Sequence, residues 1–284
     1  MLDAMVLIGF GLFAAGIIGM LRLVPALATI TYPLAWWGLL IIVDSWNYRR
    51  RRLSLWRGGA AVRFFVVDVP ASALLWLFFE VMNLPAPEWI YLGGFDSIAA
   101  QTLLGFVSFA TVVPIVVEAW WLVHGPVYIP ATPHAWRAVF LLLGAVTLVL
   151  PWFNHIWYLN QGMWIAPALL LMPFLHETRR ESGGRWLGSL ALAGLLSGVT
   201  WESLNYPSPT HWEYRILPHA AHLFQMPLPG YIGFIPFALT CLAVYEASRR
   251  IPVRLTTAFL LYSASLGLMF IITRVYYESG IWRP

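Results

Sequence analysis

Residues 80–91 read EVMNLPAPEWIY, and residues 202–214 read ESLNYPSPTHWEY. Six residues match in order: Glu80 with Glu202, Asn83 with Asn205, Pro85 with Pro207, Pro87 with Pro209, Trp89 with Trp212 and Tyr91 with Tyr214. One residue is inserted in the second stretch. Upstream, Asp44-Ser-Trp-Asn-Tyr-Arg-Arg resembles His176-Glu-Thr-Arg-Arg; downstream, Gly105-Phe-Val-Ser-Phe resembles Gly230-Tyr-Ile-Gly-Phe. The matches predict a duplicated unit.

Composition sets the medium. The 284 residues are 60% hydrophobic and 11% charged, with a mean hydropathy of +0.72. A soluble domain carries about 25% charged residues, and the apolar runs here reach the roughly 20 residues that cross a bilayer as a helix. The expectation is an all-α, polytopic membrane protein rather than a barrel of short alternating strands. Nine spans are predicted, at about 4–21, 25–44, 61–83, 98–123, 136–153, 157–176, 186–204, 229–248 and 255–275. Grouped by the duplication, they give a four-helix unit over 1–124, a second over 125–250, and a C-terminal helix and tail over 251–284. Four spans per unit is an even number, so the halves share one orientation and are related by an axis along the membrane normal.

All 17 basic residues are arginine. Thirteen fall in or beside the loops after the even-numbered spans, including Arg49 to Arg52, Arg63, Arg249 and Arg250, against four on the other side. This bias predicts a plasma (inner) membrane protein with its N-terminus cytoplasmic and its C-terminus outside. It also explains the pI of 9.4 through topology and headgroup contacts, so no nucleic-acid partner is expected. The absence of lysine excludes a retinal or pyridoxal Schiff base and a Walker A site. A single cysteine, Cys241, excludes thiolate clusters and disulfide frameworks.

Helix termination and an aromatic belt explain most of the repeated stretch. Asn83 or Asn205 can close a helix in the left-handed conformation, with proline blocking its continuation, and Trp-x-Tyr suits the headgroup level. Glu80 and Glu202 are left over. Each stands at the negative end of a helix dipole and at the edge of hydrocarbon, where ionisable groups are costly. Each is therefore expected to be neutral or paired, with Asn at i+3 on the same face and Arg215, His219 or His222 as nearby partners. Glu80, Glu202, Asn83 and Asn205 are the candidate catalytic residues, walled by Trp76, Trp89, Tyr91, Trp201, Trp212 and Tyr214, with Arg215 beside them. Asp68 and Glu118 lie at similar depth on sequential helices, either snorkelling to inner arginines or forming a pair that shares a proton or binds a cation. His219 and His222 have a weak metal-ligand spacing that the first copy lacks, and no metal is expected. Gly11, Ala15 and Gly19 read as packing or kink features of the first span.

The segments TWESLNY, HWEY and FQMPLPGYIGF resemble the membrane-embedded lycopene cyclase domains found as paired short subunits or tandem fusions. Trp201, Glu202, Asn205, Trp212, Tyr214 and Pro227 match that family's order. Where the family carries Glu-Glu, this chain has Pro229-Gly230, and its units have four spans rather than three. The resemblance implies a bound carotenoid or other isoprenoid and, if the chain is an enzyme, a cofactor-independent cyclase or isomerase using a neutral carboxyl as proton donor and aromatic faces around a carbocation. Three functions stay open. One is an apolar-ligand protein, holding a carotenoid, quinone or lipid and, if it is an enzyme, acting on it by acid chemistry. The others are a proton-coupled secondary transporter using Asp68 and Glu118, and a non-catalytic subunit docked to other membrane chains.

Overall fold

A computed structural model describes residues 4–153, 157–175 and 183–284. The chain is mainly helical. Among the described residues, seven helices are long and apolar enough to cross a membrane. They are α2 (Pro25–Arg51), α3 (Ala61–Asn83), α4 (Ile98–Val123), α5 (His134–Trp152), α6 (Gly183–Asn205), α7 (Leu228–Ser248) and α8 (Leu255–Ser279). Two of the nine expected spans differ. The first, α1 (Ala4–Met20), has 17 residues, about 26 Å at 1.5 Å per residue, just short of the hydrocarbon thickness. The sixth is broken into the turns Trp157–Asn160, Gln161–Trp164, Ala166–Leu171 and Met172–Phe174. Pro167 and Pro173 are the second residues of the last two turns, within the first turn, where proline is tolerated in a new helix but cannot continue the preceding one. Apolar composition made this segment look like one span. The His176-Glu-Thr-Arg-Arg comparison lies outside the described residues.

Helices α1 and α2 pack through glycine. A Cβ on Gly16 would sit 2.5 Å from the Ala35 nitrogen, and one on Gly38 would sit 2.4 Å from the Phe13 nitrogen. Only hydrogen fits at both points. The close contacts of α1 are at Gly9, Gly16 and Gly19; Gly11, read as a packing or kink feature, faces open space. The outer faces carry exposed Leu7, Phe10, Leu142, Phe259 and Leu260. In water these would form an aggregation-prone surface; in a bilayer they meet lipid tails.

A π turn over Phe64–Asp68 widens the start of α3. Val69 N–H bonds Phe64 O, and Pro70 has no N–H to offer, so Phe65 O is left without a helical donor. The Tyr262 hydroxyl of α8 donates to it at 2.7 Å.

The two ends of the bundle have different chemistry. At the arginine-rich end, Asp44 accepts from Ser54 Oγ at 2.8 Å and Leu55 N at 2.7 Å, with Arg57 Nε at 3.8 Å. Arg63 donates to the carbonyls of Ser248 and Ile251, and Arg51 to that of Leu122. At the other end, strands β1 (Trp89–Leu92) and β2 (His211–Tyr214), from the loops leaving α3 and α6, and β3 (Trp282–Arg283), from the tail after α8, form a small sheet in the order β2-β1-β3. Strand β1 runs antiparallel to β2, and β3 lies parallel to β1. Trp89 faces Tyr214 and Tyr91 faces Trp212. The Trp-x-Tyr of each stretch thus meets the other head to tail, and exchanging the two strands leaves the pairing unchanged.

Candidate functional site

Asn83 and Asn205 build the two loops in the same way. Asn83 Nδ2 donates to Trp89 O at 3.0 Å, while its Oδ1 accepts from Glu88 N at 2.7 Å and Trp89 N at 3.3 Å. Asn205 Nδ2 donates to Trp212 O and its Oδ1 accepts from Trp212 N, both at 2.9 Å. Each buried amide satisfies both main-chain groups of a tryptophan, as a neighbouring strand would. This corrects two expectations. Neither Asn is left-handed, since the positive-φ positions other than glycine are Arg22, Arg52, Leu217 and Phe224 among the described residues. Neither amide bonds its Glu; the loop backbone uses both of its ends.

Tyrosine hydroxyls, not cations, meet the two acids. Tyr91 donates to Glu80 Oε1 at 2.5 Å, and Tyr214 donates to Glu202 Oε1 at 2.8 Å. Burial first, and the adjoining carboxyl second, push both phenols well above their ordinary value, so both remain proton donors across working pH.

Beyond that shared bond the two acids differ. Trp76, four residues before Glu80, donates its indole N–H to Glu80 Oε1. The residue four before Glu202 is Gly198, which has no donor to give. Tyr276 of α8 lies 2.6 Å from Glu80 Oε2 and receives Asn83 Nδ2 at 3.2 Å. Glu80 is enclosed by three donors. Glu202 is equally buried, yet its Oε2 has no hydrogen-bond partner among the described residues.

That oxygen belongs to a residue lining a partly open pocket, whose empty space of about 560 Å³ includes its solvent-facing mouth. Trp76, Trp89, Trp164, Trp201 and Trp212 form much of its wall, completed by Tyr214, Phe234 and Phe237. The rings brace one another: Trp76 and Trp201 centroids are 5.1 Å apart, and Phe79 stacks on Trp164 at 4.6 Å. A second acid, Glu88, lines the same cavity and accepts Gln161 Nε2 at 3.1 and 2.9 Å. Burial raises its pKa from 4.5 to about 7, against the opposing pull of the Gln161 amide.

A second, similarly open cavity shares Trp76, Trp201 and Trp212 with the first. Met226, Gly230, Gly233, Phe234 and Phe237 line the first; Gln101, Gly105, Ser108, Phe109 and Val112 line the second. The offset is 125 residues at every position (226 against 101, 237 against 112).

The remaining expected residues lie elsewhere. Arg215 is exposed and reaches the site only through its main-chain N–H, which donates to Glu88 O at 2.7 Å. His219 and His222 are exposed, and no three His, Cys, Asp or Glu side chains gather as metal ligands among the described residues. Asp68 and Glu118 have separate partners. Ser248 Oγ donates to Asp68 at 2.9 Å, whereas Asn47 Nδ2 donates to Glu118 Oε2 at 2.6 Å. The acid beside Glu118 is Asp44, within hydrogen-bonding reach. Sequence reasoning missed Glu88, Gln161, Trp164, Phe237 and Tyr276. Glu88 could have been noticed as the one acid within the first stretch that has no match in the second.

Compared with known proteins, the chain matches no family model, no curated protein and no solved structure.

Proposed function

We propose that this chain is a multi-pass protein of the plasma (inner) membrane that holds an isoprenoid, carotenoid-like or lipid molecule against Glu202, and that Glu202 acts on it as a proton donor. The observation carrying the reading is the unpartnered Oε2 of a fully buried carboxyl beside a cavity walled by tryptophan. A carboxyl oxygen without a donor has room for a proton of its own. Aromatic faces around it stabilise positive charge that develops in an apolar ligand.

The duplication belongs to this reading. Two like-oriented four-helix units followed by one helix, nine crossings in all, would have the N-terminus cytoplasmic and the C-terminus outside. The constant offset between the cavities and the exchangeable Trp-x-Tyr register support it. So do the arginines at the opposite end.

The chemistry balances without a cofactor. Glu202 gives its proton to the terminal C=C bond of a linear polyene, leaving a tertiary carbocation. The π electrons of a neighbouring C=C bond close a carbon–carbon bond onto that cation, and loss of a proton to the Glu202 carboxylate regenerates a C=C bond. The product is an isomer of the substrate. The resemblance to lycopene cyclase domains points to the same chemistry, with Glu202 as acid. Glu80, enclosed by three donors, fits a structural role. The transport alternative leans on Asp68 and Glu118, which have separate partners.

The test is incubation of the detergent-purified chain with lycopene, followed by chromatography of the extracted pigment. Ringed product from the wild type, lost by at least a hundredfold in Glu202→Gln, is expected. Undiminished product from Glu202→Gln, or none from the wild type, would remove the acid role.

A further inference from the structure

The second cavity has hydrogen-bonding chemistry opposite to that of the first. Gln101, at the position equivalent to Met226, is fully buried. Its Oε1 accepts the Phe95 main-chain N–H at 2.8 Å, which fixes the orientation of the amide: only the oxygen end can take that proton. The NH2 end is therefore the free one, and Nε2 has no partner among the described residues. Tyr32 lines the same cavity, and its buried hydroxyl is also unpartnered. The apolar remainder comes from Leu104, Phe109, Val112 and the shared tryptophans. Where the first cavity offers a free acid, this one offers free donors.

We infer that the second cavity is a separate binding site for an apolar molecule bearing a carbonyl oxygen, with Gln101 Nε2 and Tyr32 Oη as the donors that recognise it. A buried amide NH2 left unbonded costs far more than one bonded, and a carbonyl oxygen has two lone pairs to accept two donors at once. Flat aromatic walls suit a conjugated ring ketone such as a quinone; a lipid ester presents the same oxygen on a chain. The site does not include Glu202 itself, and the walls it has in common with the first cavity are Trp76, Trp201 and Trp212.

The test measures binding to the full chain in detergent. One arm uses equilibrium dialysis with decyl-benzoquinone and with decylbenzene, which has the same body and no carbonyl. The other uses native mass spectrometry with ester-linked against ether-linked phosphatidylcholine. A preference of at least tenfold for the carbonyl probe in either arm is expected, and the arm in which it occurs identifies the source. Tyr32→Phe removes a hydroxyl that has no hydrogen-bond partner among the described residues. Gln101→Glu keeps the acceptor for Phe95 N–H while replacing the donors. Each should abolish the preference, and Glu202→Gln should leave it intact, so failure here is distinguishable from failure of the acid role. Equal binding of carbonyl and carbonyl-free probes in both arms overturns the proposal, as does a preference that survives both substitutions.

Discussion

The Tyr276 hydroxyl oxygen lies 2.6 Å from Glu80 Oε2 and 2.7 Å from the Glu80 carbonyl oxygen. One side chain of α8 therefore holds both the carboxyl and the last-turn backbone of α3. Removing it by Tyr276→Phe leaves a buried carboxyl oxygen and one Asn83 amide proton short of a partner. The expected cost is about 1–3 kcal/mol, read as a lower melting temperature in detergent. Glu202-dependent product formation should persist, because no hydrogen bond joins Tyr276 to Glu202.

Gly38→Ala tests the α1–α2 contact. The new Cβ would press 2.4 Å from the Phe13 nitrogen and 2.7 Å from the Gly9 oxygen, and both obstacles are backbone. Overpacking of this kind costs about 1–3 kcal/mol. Gly11→Ala, facing open space, is the matched control and should leave the melting temperature unchanged.

Glu88 predicts a direction for pH dependence. Its folded pKa of about 7 stands above the ordinary 4.5, so between those values the native chain holds a proton that the unfolded chain has released. Stability from this group is fully present below about pH 4.5 and is lost as pH rises through about 7. Glu88→Gln should flatten that part of the stability-versus-pH curve. A variant curve as steep as the wild type's would show that Glu88 is not its source.

Asn47→Leu removes a donor, at 2.6 Å, from fully buried Glu118, which already neighbours Asp44. Stranding a buried acid is more damaging than losing an ordinary hydrogen bond. A destabilisation of about 2–4 kcal/mol is expected. The double variant Asn47→Leu with Glu118→Leu should recover part of it, which a thermal-shift series would detect.

Much of this arrangement was legible in the sequence because its causes are local. Charge scarcity and run length identify the membrane helices, and the conflict of Glu80 and Glu202 with their helix dipoles marks them as residues needing partners. The difference between those partners was half legible: Trp76 against Gly198 is visible at i−4 in each stretch. Tyr276 was not, because nothing local joins it to a residue 196 positions away. Arg215 and His219 were attractive as the nearest cations along the chain, but they are exposed, and a tyrosine already within the motif does their expected work. The role of Asn83 and Asn205 was misread for a related reason. A helix cap is the local use of asparagine, whereas these two serve a loop five to seven residues onward. The broken sixth span carried its signal in Pro167 and Pro173, which average hydropathy conceals.

A strand pair that reads the same after its members trade places has a consequence for how the two carboxyls come to differ. Its main-chain bonds are alike on both sides, so they carry no information about which carboxyl is which. Individuality must come from single side chains outside the ladder: an indole present on one side and missing on the other, and a phenol delivered by α8. Two such donors suffice to enclose one acid while the other keeps an oxygen without a partner among the described residues.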